Sequence, residues 1–162
     1  MVGGGCRCLR LARDLVDGGH AVRAVTRTEA RRSEIEAAGC ECWIGTPDAI
    51  GTLRYALDGV TVLMWLLGTA GGIPEQVEPL HRSRLRMMLE KTTDTTVRGV
   101  IYEAAGTVGA ATIAAGVDEL RHAQRTNEIP YALIEADPRD EAAWLPAAHV
   151  AIDGLIAALV AR

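Results

Sequence analysis

Apolar positions along the chain switch repeatedly between a helical and a strand period. Leu11, Ala12, Leu15 and Val16 mark one helix face, and Gly18-Gly19 stops it. Residues 21–26 read as a short buried strand, 29–38 as a polar helix closed by Gly39, and 40–44 as a second strand with Trp43 and Ile44 as its bulk. Pro47 suits a first helical turn, with Ile50, Leu53, Tyr55, Ala56 and Leu57 on the turns that follow. Residues 60–67 are apolar without interruption, as in a strand covered on both faces. A Gly-rich loop at 68–74 leads to a helix predicted over 80–96 that carries Leu80, Leu85, Met88 and Leu89. A strand at 99–103, a small-residue stretch at 104–116, a helix at 117–127 and a strand at 130–135 follow. The last helix, 141–160, is expected to break or bend near Pro146.

Strands alternating with helices imply right-handed parallel crossovers, hence an α/β fold: a three-layer, doubly wound, mostly parallel sheet. Five strands follow the opening glycines. A sixth before them would complete a Rossmann-like sheet in the order 3-2-1-4-5-6. Only Met1 and Val2 precede the glycines, so that first strand is truncated or missing. The 162 residues show no linker or repeat and read as a single domain, 1–162.

The opening run Gly3-Gly4-Gly5-Cys6-Arg7-Cys8 enters the first helix directly. Backbone amides of such a turn, together with a helix N-terminus, attract the anionic oxygens of a pyrophosphate. In a G-x-G-x-x-G reading Gly3 makes the tight turn, Gly5 lets the backbone approach the phosphates, and Cys8 stands at the third, helix-packing position. About 20 residues on, an NAD site places a carboxylate. Here Val25-Thr26-Arg27-Thr28 offers Arg27 instead, suited to a 2′-phosphate, with Arg31 and Arg32 adding positive potential. NADP is therefore expected over NAD.

These residues carry a resemblance. Gly3-Gly4-Gly5, Leu11-Ala12-Arg13-Asp14-Leu15, Gly19-His20-Ala21-Val22 and Val25-Thr26-Arg27 resemble the opening βαβ unit of extended or atypical short-chain dehydrogenase/reductases, the epimerase/dehydratase-like or NmrA-like NAD(P)-binding proteins. Residues 53–63 are similar to the stretch leading into that family's fourth strand, 99–106 to its fifth strand and 129–134 to its sixth. The resemblance implies that Leu67 and Gly68 line the cofactor, joining Gly3, Gly4, Gly5, Cys6, Arg7, Cys8 and Arg27.

The family's Tyr-x-x-x-Lys pair is missing. Lys91 is the one lysine, Met87 stands four residues before it, and Tyr55, Tyr102 and Tyr131 have no lysine at the required offset. Catalytic residues are thus unassigned. Glu103, Glu135 and Asp137 fall at carboxyl ends of strands, where ligands gather, with Thr107 close behind Glu103. A surface or loop-capping role is the plainer reading of each carboxylate. The first functional reading is a dinucleotide-binding protein without the usual catalysis, a redox sensor or regulator. The alternatives are an NADP-dependent reductase or epimerase-like enzyme with non-standard residues, and a non-binding interaction domain.

Net charge −4 leaves no footprint for nucleic acid or an anionic membrane. The apolar run 60–67 is too short to span a bilayer, and a cytoplasmic protein is expected. Cys6-x-Cys8 and Cys40-x-Cys42 lack zinc-knuckle spacing and read as small buried residues rather than metal ligands. The resemblance further implies a homodimer through the helices at 80–96 and 117–127, where Leu85, Met87, Met88 and Leu89 give a surplus of apolar surface.

Overall fold

Met1 and Val2 hold the centre of the sheet. In the computed structural model, which describes residues 1–3 and 5–161, two parallel ladders flank them. One pairs β1 (Arg23–Thr26) with β2 (Glu41–Ile44); the other orders β3 (Val62–Trp65), β4 (Gly99–Glu103) and β5 (Tyr131–Ile134). The Met1 amine donates to the Arg23 carbonyl at 2.8 Å, and the Val25 amide donates to the Met1 carbonyl at 3.0 Å. Val2 donates to the Met64 carbonyl at 2.7 Å and accepts from the Leu66 amide at 2.8 Å. These four bonds join the halves, and the sheet reads β2-β1-(Met1–Val2)-β3-β4-β5. That is the doubly wound order with a two-residue first strand.

Helices cover both faces. α1 (Cys6–Asp17) and α6 (Glu141–Val160) pack Leu11, Leu15, Trp144, Ala148 and Ile152 against Met64, Leu66, Ile101 and Ile134. On the other face α3 (Pro74–His81), α4 (Ser83–Thr92) and α5 (Ala110–Asn127) pack Val77, Leu85, Met88, Ile113 and Leu120 against Leu63, Trp65, Val100 and Tyr102. The short α2 (Arg32–Ala37) seats Ile35 beside Ala24 and Cys40.

Four boundaries differ from the sequence expectation. Residues 47–57 form two 3₁₀ turns, Ile50–Leu53 and Tyr55–Leu57, rather than an α-helix. The Trp43 indole N–H and the Thr52 hydroxyl take the carbonyls of Thr52, Ala49 and Thr46, and these side-chain bonds compete with an α-ladder. The helix expected at 80–96 is two helices parted at Arg82, whose φ and ψ are −120° and −99°. Trp65 drives its indole N–H onto the Leu80 carbonyl at 3.0 Å, an acceptor the helix would otherwise use, and this fixes the break. α5 starts seven residues before the expected 117, because the alanine-rich stretch 110–115 is a good helix former. α6 runs unbroken through Pro146 from an Asp140 N-cap, whose carboxylate accepts from the Ala143 amide at 3.3 Å.

The apolar surplus expected on α4 is mostly inside the chain. Leu85, Met88 and Leu89 are buried, and only Met87 is exposed, at 41%. By length and composition α6 is apolar enough to cross a membrane, which the run 60–67 is not, but one stripe of it builds the core described above.

Candidate functional site

The crevice lies where the chain turns out of the sheet after Val2. Gly3 adopts φ +113°, and a Cβ there would stand 2.1 Å from the Leu66 carbonyl oxygen, so only glycine fits. Gly4 lies outside the described residues. Gly5 is the N-cap of α1, without a side-chain cap and with no acidic residue in the first turn. Its carbonyl accepts from the Cys8 and Leu9 amides at 3.0 and 3.3 Å. The amides of Cys6 and Arg7 precede these and, as the first N–H groups of the helix, have no acceptor within it. A twelve-residue helix thus points its positive end at the gap between β1, reached through α1, and β3, which leads the other way.

The expected residues divide there. Cys6 is exposed at the turn, whereas Cys8 is buried among Leu11, Met64, Ile101 and Trp144. Cys8 therefore faces the core, and burial pushes its thiol up to about 11. Cys40 is also buried and Cys42 half-buried. No cluster of three or more His, Cys, Asp or Glu side chains is placed to hold a metal among the described residues.

Arg7 turns its side chain back across the crevice floor. Its Nη2 donates to both oxygens of Glu103 at 2.8 Å and to the Thr69 hydroxyl at 3.1 Å, and its Nε reaches Glu103 Oε1 at 3.2 Å. The guanidinium also stacks 5.2 Å over the Trp144 ring. Glu103, at the carboxyl end of β4, is wholly buried and further accepts the Gly68 amide at 2.7 Å. It is a loop-capping carboxylate locked in an ion pair, not a surface one.

Gly68 closes the other side. A Cβ there would lie 2.0 Å from the Ala105 carbonyl oxygen, and one at Gly106 would lie 2.0 Å from the Gly68 oxygen, so the loops after β3 and β4 meet backbone to backbone. Leu67 is half-buried and packs on the core below. At the end of β1 Arg27 is exposed and sits 3.5 Å from Asp48, a loose surface pair. Arg31 and Arg32 pair with Glu34, Glu29 and Glu36 of their own helical turn and behave as a solvated helix start.

Tyr55 is exposed on a 3₁₀ turn, while Tyr102 is fully buried with its hydroxyl 2.6 Å from His81 Nδ1. The rings meet edge to face at 5.8 Å. Burial raises the Tyr102 pKa well above its usual value and lowers that of His81 to about 4. Glu135 and Asp137 lie past β5, and Asp137 is held down to about 2 by its hydrogen bonds from Arg139. Sequence reasoning missed both Arg7–Glu103 and His81–Tyr102. The one available signal was an arginine standing in the glycine turn.

No family model matches the sequence, and no curated protein matches it. Solved structures do. A short-chain dehydrogenase/reductase superfamily protein from Agrobacterium tumefaciens with bound NAD superposes with TM-score 0.66 at 15% identity, over 82% of this chain and 46% of that one. The chain has an α/β Rossmann-like fold. UDP-glucose 4-epimerase from Thermotoga maritima gives 0.66 at 12% identity (82% and 52% covered). The Citrobacter sp. triphenylmethane reductase complexed with NADP(H) gives 0.56 at 17% (77% and 44%). The chain spans about half the length of the solved structures it matches.

Proposed function

We propose that the chain binds a nicotinamide dinucleotide, NADP in preference to NAD, without the tyrosine–lysine hydride chemistry of short-chain dehydrogenases. The observation that carries this reading is the uncapped N-terminus of α1, delivered by Gly3 and Gly5 to the switch point of the sheet. The pyrophosphate would lie on the Cys6 and Arg7 amides. The loop at Leu67 and Gly68 would border the nicotinamide half, and Arg27 would exchange its loose Asp48 partner for a 2′-phosphate. NAD-bound and NADP(H)-bound structures among the fold neighbours support a dinucleotide.

With α5 free of tyrosine and lysine and Glu103 tied to Arg7, the function we favour is sensing or regulation by the bound nucleotide in the cytoplasm. Leu85, Met88 and Leu89 are inside the chain and Met87 is exposed, and a dimer through α4 and α5 is not part of this proposal.

Titration with both nucleotides tests the reading. A charge-assisted contact of about 1.5–3 kcal/mol gives NADP a roughly ten- to hundredfold advantage. Arg27→Ala should erase it while leaving NAD affinity alone. Equal affinities in the parent chain, or no binding of either nucleotide, would contradict it.

A further inference from the structure

The ion pair on the crevice floor has a direction. Arg7 presents its Nε–Nη2 edge to Glu103, with Nη2 2.8 Å from each carboxylate oxygen and Nε 3.2 Å from Oε1. The third corner of the guanidinium, Nη1, therefore points away from the carboxylate. It makes no hydrogen bond among the described residues and lies 3.4 Å from where a Cβ on Gly5 would stand, so it faces the glycine turn. Burial sharpens the asymmetry. The Glu103 side chain is wholly enclosed, whereas 12% of the Arg7 side chain stays exposed. The pair keeps its negative end inside the protein and its positive end on the crevice surface.

Both walls of the crevice are tied to this guanidinium. Gly5 opens α1 on one side. On the other, the Thr69 hydroxyl accepts from Nη2 at 3.1 Å and the Gly68 amide donates to Glu103 at 2.7 Å. Arg7 thus spans the floor from the first turn of α1 to the loop after β3.

We propose that Arg7 makes the crevice select the reduced form of the dinucleotide over the oxidised form. The inference rests on the nucleotide reading above, with the pyrophosphate on the Cys6 and Arg7 amides and the nicotinamide half beside Leu67 and Gly68. A ring placed there lies over the span from Gly5 to Gly68, where Nη1 stands. The oxidised nicotinamide carries a positive charge on its ring nitrogen, and the reduced ring is neutral. The guanidinium repels the first and not the second. Glu103 offsets part of the repulsion, but from behind Arg7. A charge a few ångströms nearer than its counter-charge leaves a difference of about threefold to tenfold in affinity. Arg7 cannot swing away to relieve it, because that would leave a wholly buried carboxylate unpaired. Occupancy of the crevice then follows the reduced fraction of the nucleotide pool.

Calorimetric titration of the parent chain with NADPH, NADP⁺, NADH and NAD⁺ tests this. The reduced form should bind about threefold to tenfold tighter in both pairs, because Arg27 meets neither ring. Two variants should move that ratio in opposite directions. Arg7→Met combined with Glu103→Gln removes both charges and should bring the ratio to within about twofold of unity. Glu103→Gln alone leaves the guanidinium unopposed and should raise the ratio about threefold over the parent. This variant keeps Arg7 in place, so it carries the test if the double variant does not fold. If the parent binds the oxidised form as tightly as the reduced one, or if Glu103→Gln leaves the ratio unchanged, the inference is overturned and the dinucleotide reading stands. Binding of none of the four nucleotides would overturn both.

Discussion

Arg7→Met should be the most damaging single change near the crevice, at about 3–5 kcal/mol. It leaves the Glu103 carboxylate wholly buried with the Gly68 amide as its one remaining hydrogen bond from those described above, since Arg7 supplies the others. The loss corresponds to a fall in Tm of about 6–20 °C for a chain of this size. Adding Glu103→Gln should recover much of it. The amide is uncharged and still offers an oxygen to Gly68. Denaturant unfolding of the two single variants and the double measures the coupling directly. An Arg7→Met loss below about 1 kcal/mol would mean that water, not the protein, balances this carboxylate.

Acidification should destabilise the fold through His81, on a scale close to that of the Arg7 variant. The ring is fully buried against Tyr102, and desolvation lowers its pKa from 6.5 to about 4. Between those values the unfolded chain binds a proton that the native state refuses, so stability rises with pH across that window. The contribution is intact above pH 6.5 and is lost as pH falls toward 4. The total is about 3 kcal/mol, or a Tm drop of about 6–12 °C. His81→Gln keeps a hydrogen-bonding group at this position but does not titrate, so its unfolding free energy should fall less between pH 6.5 and 4.5. Identical slopes for parent and variant over that range would assign the acid sensitivity to other groups.

The layout of the sheet was legible in the sequence because buried parallel strands are written as short apolar runs. The stretches around Val62, Ile101 and Leu133 announce β3, β4 and β5 without any knowledge of their neighbours. The glycine turn was legible for the same local reason, since backbone approach demands glycine wherever it occurs. What failed to show depends on residues far apart. The break at Arg82 is made by Trp65, and periodicity around 80–96 carries no trace of it. Arg7 and Glu103 are 96 positions apart, and each alone looks like an exposed charge. The alanine stretch before Val117 has no polar face to give it a period, so propensity was the better guide to the start of α5.

The backbone contact between Gly68 and Gly106 also sets a rule for anyone re-engineering this crevice. Neither loop can be randomised or transplanted separately, because a side chain at one glycine lands on the main chain of the other loop. A library aimed at new ligands should hold both positions fixed and vary their flanks, and a graft from another protein should bring the two loops as one cassette.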